Sequence, residues 1–429
     1  MTMKKLLTII LCAFAISAFA QSKHTTTPIF KSCDKLLVTG YQAWFRCPPD
    51  GGKGKLFRLY DPETCRVDMW PDMREYEKTY DTKFLEKDGK PAQMFSSLDY
   101  STSDLHFKWM KEYDIDAAFV QRFYYHTTRK GADWQDWVKI MGNCMKASQK
   151  YKVGMIVMYD LSGMGGKKVA DGLIKDWKML LDELALTSKD TYVFHNGKPL
   201  VCIWGIGLND RLNFVQDTDL VKFLDFLKND PVYGNCSIMI GTGAGFRKAD
   251  GDCSKAKPYL HDFLKKYADI VSPWNVGRYN YNKKEGKMMA KKSVFADVVA
   301  DDVEWCSRNK ISYMPTIYAG FSWHNKMKNN PKFVKSSQLN KVPRLGGKFF
   351  WEMGKEAVEG GANMIYISMF DEIDEATAIF KLRKEPPVAE GCPFVGTEGV
   401  AEDHYLFLAS KISEMLKTGN VFDEMPKRK

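Results

Sequence analysis

Four carboxylates crowd into five positions where an apolar run ends: Asp371, Glu372, Asp374 and Glu375 follow Ile365-Tyr366-Ile367-Ser368-Met369-Phe370. Glycosidic-bond cleavage uses two carboxyl groups, one to protonate the leaving oxygen and one to act as base or nucleophile. If the chain turns helically after Phe370, Glu372 and Glu375 lie at i and i+3 with Cβ atoms ~5–6 Å apart. Enzymes that retain anomeric configuration hold their carboxyl groups ~5–5.5 Å apart, and inverting ones ~6.5–9.5 Å, so the spacing favours retention. Crowding like charges also raises at least one proton affinity, as a general acid at neutral pH requires. Two plainer readings compete for the same residues: side chains that complement a helix dipole, and a calcium site.

These side chains need a frame that carries a strand end to an open face. Short apolar runs rich in Val, Ile, Tyr and Phe occupy 35–45, 116–125, 152–161, 199–206, 236–243, 269–276, 311–318 and 363–370. Several are continuous rather than alternating, as expected of strands buried on both faces. Helical periodicity falls between and after them, at 103–113, 133–151, 169–186, 217–228, 258–267, 288–309, 347–360 and 402–416. Eight strands, each followed by a helix, predict an α/β fold of the closed (β/α)8 TIM-barrel type. A doubly wound open sheet is the rival, but no glycine-rich nucleotide loop follows the first strand. The first strand-to-helix connection, 46–102, is long enough to wall a cleft on the catalytic face. With no linker, repeat or low-complexity tract, residues 21–429 read as one barrel domain.

Other strand ends supply candidate substrate-binding groups: Tyr41 and Trp44, Arg122 and Tyr124 beside Tyr125, Asp160 beside Tyr159, Trp204, Trp274 beside Asn275, then Tyr318, Trp323 and His324, with Asp371 in the acidic cluster. Aromatic faces stack on sugars while Arg, Asp and His bind hydroxyls. Each ring taken singly is as well explained by core packing, and it is their placement at strand ends that groups them. Asp160 could bind a hydroxyl, orient Arg122 or cap a turn; His324 could be a donor or a surface residue. Gly241-x-Gly243-x-Gly245 lacks the Lys-Ser/Thr of a nucleotide loop and reads as a flexible loop near the cleft.

The first twenty residues bound the compartment. Lys4-Lys5, an apolar run from Leu6 to Ile16 and Ala18-Phe19-Ala20 form the layout of a secretory signal peptide, too short to span a membrane. Export to the periplasm or medium is therefore expected. The 429 residues carry a net charge of +10, spread without a basic stripe interleaved with aromatics, which argues against nucleic-acid binding. The ten cysteines show no CxxC and no His/Cys ligand cluster, so no metal and no cofactor is expected. Cys202 and Cys236 lie in apolar runs as core residues, while Cys33, Cys47 and Cys65 are disulfide candidates of undetermined pairing. The expected partner is an oligosaccharide or polysaccharide.

The segments Gly40-Tyr41-Gln42-Ala43-Trp44-Phe45 and Glu372-Ile373-Asp374-Glu375-Ala376-Thr377 resemble glycoside hydrolase families 71 and 99. Family 99 comprises endo-acting α-mannosidases and α-mannanases on a (β/α)8 barrel, with the motif Glu-Trp-x-Glu-Gly-Thr. The resemblance implies that Glu372 deprotonates the sugar 2-hydroxyl, which attacks the anomeric carbon to form an epoxide-like intermediate. It implies that Glu375 is the acid and then the base that activates water. Ile373 stands where the motif has tryptophan and Ala376 where it has glycine. Two other classes fit the same residues: a glycan-binding barrel without turnover, and a barrel enzyme with a metal at Asp371, Glu372 and Asp374.

Overall fold

A computed structural model describes residues 21–47, 65–128, 132–162, 168–210, 218–290 and 293–428. The expected signal peptide, 1–20, lies outside the described residues. The strands are β1 (Leu37–Tyr41), β2 (Ala117–Phe123), β3 (Gly154–Asp160), β4 (Lys198–Ile206), β5 (Ser237–Gly243), β6 (Ile270–Trp274), β7 (Ser312–Tyr313 and Thr316–Ile317) and β8 (Ile365–Ile367). Each pairs in parallel with the next, and β8 returns to β1. The ring passes through a break in β7 at Met314-Pro315. Proline has no N–H to donate, so the ladder changes partner there. Met314 N–H still bonds Val271 O at 3.0 Å, while Pro315 O receives Tyr366 N–H at 3.0 Å from the other side.

The principal helices are α1 (Tyr100–Glu112), α2 (Ala132–Tyr151), α3 (Ala170–Glu183), α4 (Thr218–Asn229), α5 (Leu260–Tyr267), α6 (Phe295–Arg308), α7 (Lys348–Glu359) and α8 (His404–Thr418). The α/β TIM-barrel expectation holds, with the helices following their strands in turn. One helix is shorter than its periodicity suggests. Residues Lys287–Ala290 pair with Asn280–Asn282 and Ser293–Val294 in a small antiparallel sheet, and α6 starts after it. Met288 is buried in this sheet, and its N–H donates to Glu356 of α7 at 2.6 Å.

Strand parity divides the side chains. Val38, Phe119, Ile156, Met158, Leu200, Cys202, Met239, Ile270 and Tyr366 fill the barrel interior as one cluster. Their neighbours along each strand point outward to the helices and join the larger core between the layers. The described part of the long first connection, which carries the hairpin Tyr80–Leu85 and Pro91–Met94, packs behind the β8 loop. Asp68 and Met69 N–H both bond Ile373 O. None of its described residues lines the cleft described below, so the described part acts as a buttress, while residues 48–64 of the expected wall lie outside the described residues. A disulfide joins Cys65 to Cys392 with Cα atoms 6.0 Å apart. Cys202 and Cys236 are buried in the core as expected, and Cys33 is a buried thiol outside any disulfide. Among the described residues no helix is long and apolar enough to cross a membrane.

Candidate active site

A cavity of about 740 Å3 opens at the carboxyl ends of the strands. Its floor is the inward face of the barrel, with Gln121, Met158, Met239, Ser272, Thr316, Tyr366 and Met369; its rim carries Trp44, Trp204, Trp274 and Trp323. Glu372 and Glu375 both face it. Trp204 and Trp274 lie 4.9 Å apart between ring centroids, tilted by 47°, and Trp44 stacks on Phe123 at 4.9 Å. Trp323 is held by its indole N–H on Ser336 O at 3.0 Å.

The acidic segment does not enter a helix. Residues 373–376 form a turn, and α8 begins only at His404. Ala376 takes φ 50°, the left-handed region that glycine occupies without strain. The turn thus keeps a glycine-like conformation at the position where the family motif has glycine. Ile373 is fully buried in the core, where a larger ring is absent.

Each carboxylate has a different set of partners. Glu372 accepts from Gln42 Nε2 at 2.7 Å and from Thr377 Oγ1 at 2.6 Å. Burial, with Glu375 and Asp374 nearby, holds its proton affinity well above the ordinary glutamate range, against the pull of Lys326 and Thr377. Glu375 receives Lys326 Nζ at 2.7 Å, and the same ammonium reaches Asp374 at 2.8 Å. Asp374 is likewise raised, by burial first, with Lys326 opposing. Burial works against the charge on Lys326, yet Asp374, Glu375 and Glu372 together hold it above the usual lysine range.

Asp371 faces away from the cleft. It accepts Gln42 N–H at 2.8 Å and Ala43 N–H at 2.9 Å, tying the end of β8 to the end of β1. Burial pushes its carboxyl up to about 7, the two amides pulling the other way. It is a positioning residue, which corrects its expected role in substrate binding. A metal at Asp371, Glu372 and Asp374 does not fit either: the first faces backbone amides, the second Gln42 and Thr377, the third an ammonium.

Five further expected residues are not among those that line the cleft, two of them through strand parity. Phe119, Gln121 and Phe123 face the interior, so Arg122 points outward. Fully buried, Arg122 pairs with Asp176 of α3, its Nε bonding at 2.6 Å, and Tyr159 donates to the same carboxylate. Tyr41 is also outward, its hydroxyl 2.8 Å from His106 Nδ1 on α1. Tyr318 lies past the end of β7; it is buried against Phe349 and donates to Tyr279 O at 3.0 Å. Tyr124 starts a short helix, Tyr124–Thr128, and packs half-buried on the core. His324 gives its N–H to Asp68 at 2.7 Å and its Nδ1–H to Ser337 O at 2.7 Å.

Trp44, Asp160, Trp204, Trp274 and Trp323 do line the cleft with the two glutamates. Asp160 also caps its own turn through Ser162 N–H at 2.7 Å, and Asp176 rather than Asp160 orients Arg122. Sequence reasoning missed Gln42, Thr377 and Lys326. Gln42 and Thr377 lie inside the two recognised segments, and inward parity from Val38 through Gly40 would have singled out Gln42. Nothing near Lys326 in the chain marks it. The Gly241 and Gly243 positions belong to β5 rather than to a flexible loop. A Cβ on Gly241 would sit 2.0 Å from Trp204 Cε3, so this glycine lets the tryptophan lie against the strand.

No family model matches the sequence, and no curated protein matches it. Among solved structures, the chain is similar to the GH99 endo-α-mannosidase of Bacteroides thetaiotaomicron in complex with bis-tris propane. That match has a TM-score of 0.60 and 14% identity, over 90% of this chain and 98% of that one. A second structure of a GH99 endo-α-mannosidase from Bacteroides thetaiotaomicron matches with a TM-score of 0.58 and 13% identity, over the same shares. At that identity the likeness defines the class of fold, a (β/α)8 barrel of this architecture.

Proposed function

We propose that this protein is an exported glycoside hydrolase that cleaves an α-linked, mannan-like glycan with retention of anomeric configuration. The observation that carries the reading is the pair Glu372 and Glu375 facing one aromatic-rimmed cavity at the carboxyl ends of the barrel strands. The similarity in fold to an endo-α-mannosidase over nearly the whole chain supports it.

In the reaction, Glu372 takes the proton of the sugar 2-hydroxyl as that oxygen attacks the anomeric carbon. Glu375 gives its proton to the departing glycosidic oxygen, leaving a 1,2-anhydro sugar. Water then loses a proton to Glu375 and opens the three-membered ring, and Glu372 returns the proton to O2. Two inversions give retention. Gln42 and Thr377 both donate to Glu372 and so favour its carboxylate, the form that takes a proton from an alcohol. Gln42 and Thr377 fix its orientation.

One observation favours a second reading, a glycan-binding barrel without turnover: Lys326 pairs with the glutamate that must donate a proton. Reducing-sugar release from a panel of α-linked polysaccharides separates the two. Wild type is expected to cleave at least one of them, with Glu372→Gln and Glu375→Gln each slower by about 100-fold or more. Equal rates in both variants would remove the catalytic assignment, and binding without cleavage by wild type would favour the second reading.

A further inference from the structure

Lys326 stands in the site without a role in the chemistry above. It sits in the helical turn His324–Met327 that follows β7, with a side chain about four-fifths covered. Its ammonium meets Glu375 Oε1 at 2.7 Å and Asp374 Oδ2 at 2.8 Å, and lies 5.6 Å from the Trp44 ring centroid. From the β8 side it faces Glu372, Asp374 and Glu375, and from the segment after β1 the Trp44 ring. On its own turn, Lys328 points elsewhere, to Asn325 Oδ1 and Gly391 O, and His324 is bound to Ser337.

The turn itself is fastened from behind. Asp68 accepts the N–H groups of His324 and Asn325 at 2.7 and 2.8 Å and the hydroxyl of Ser322. Asn325 Nδ2 donates to Val67 O at 2.9 Å and to Pro393 O at 2.6 Å. Those two carbonyls lie beside Cys65 and Cys392, the halves of the disulfide. A flexible lysine on a surface helix gains little from an ion pair. Here the backbone that carries it is held on two sides by strands of the chain that a covalent bond joins, so the ammonium has a defined position.

We propose that Lys326 is the fixed counter-charge of the acid/base glutamate, tying Glu375 to Asp374 and stabilising the Glu375 carboxylate once its proton has gone to the leaving group. The inference rests on the hydrolase reading. A preorganised cation at the point where negative charge develops stabilises that charge without reorganising at the moment of reaction. Lys326 also separates Glu375 from Asp374, two like charges that would otherwise repel across a buried turn.

The test uses the full-length mature protein with Lys326→Met, Lys326→Arg and the double variant K326M/D374N, which removes one charge of each sign should K326M fail to fold. An opposite charge beside a carboxyl lowers its pKa by about 1–3 units, so its removal moves the alkaline limb of kcat/KM upward by about one unit. kcat falls about 10- to 100-fold in K326M and in the double variant, with KM within about threefold, because ground-state sugar contacts remain. Lys326→Arg keeps the limb in place. A readout free of turnover is the carboxyl 13C titration of Glu375, assigned through Glu375→Gln; its midpoint rises in K326M. Wild type inactive on every glycan, with that midpoint shifted, sinks the hydrolase reading and spares the charge pairing. An unshifted midpoint, or an active K326M with the wild-type limb and kcat, overturns the role of Lys326.

Discussion

Gln42 Nε2 donates to Glu372 Oε1 across 2.7 Å, joining residues 330 positions apart where the barrel closes between β1 and β8. Asp371 makes the matching contact in the backbone, accepting Gln42 N–H one position earlier. The base of the proposed reaction is therefore aimed by the first strand of the barrel as much as by the last. Hydrogen bonds to a charged group contribute about 1.5–3 kcal/mol, so Gln42→Leu is expected to lower kcat/KM about 10- to 100-fold. A melting curve for the variant distinguishes this from loss of fold, and an unchanged kcat/KM would detach Gln42 from the chemistry.

The roles of the two glutamates separate with the leaving group. A glycosyl fluoride needs little protonation on departure, so Glu375→Gln is expected to keep most of its rate of fluoride release in the first turnover, before water is activated, while losing about 100-fold or more on a glycan. Glu372→Gln loses both, since the attacking hydroxyl still needs a base. The opposite pattern in initial-rate measurements would exchange the two assignments.

The aromatic rim can be disturbed without touching a carboxylate. In Gly241→Ala the new methyl would overlap Trp204 Cε3, and the ring must leave its place beside Trp274. Close packing leaves no room to absorb it, so KM for oligosaccharides is expected to rise about tenfold with kcat within about twofold. A drop in kcat at constant KM would mean that Trp204 acts on the reacting carbon instead.

Glu356 of α7 provides a pH test away from the cleft. It accepts N–H from Met288 at 2.6 Å and from Ala296 at 3.2 Å, and burial pushes its carboxyl up to about 7 against those bonds. Below about pH 4 the folded and unfolded chains both hold this proton; between about 4 and 7 the unfolded chain releases it first. Stability thus falls as pH rises through that window and levels off above it. Melting temperature against pH should be flatter there for Glu356→Gln than for wild type, and parallel curves would refute the assignment.

Much of the frame was written in local pattern. The runs 116–125, 152–161 and 236–243 contain β2, β3 and β5 because residues buried on both faces of a parallel strand must be apolar throughout. The carboxylates after Phe370 were visible for the same reason, since charge following a buried strand has to lie at its open end. The 288–309 helix was overread because Met288 and Met289 fit helical spacing as well as they fit a short hairpin, and a contact with distant Glu356 decides between them.

What the chain alone determined, then, is the alternation of strand and helix, the strand after which the acids fall, and a family-like turn around them. Tertiary structure decided which strand-end residues look inward: one step of parity turns Arg122 to Asp176 and Gln121 to the cavity. It also brought Lys326 from 49 positions away onto Glu375 and Gln42 from the opposite end of the barrel onto Glu372. Such pairings arise from ring closure and from loops meeting over one face, and no pattern confined to neighbouring residues records them.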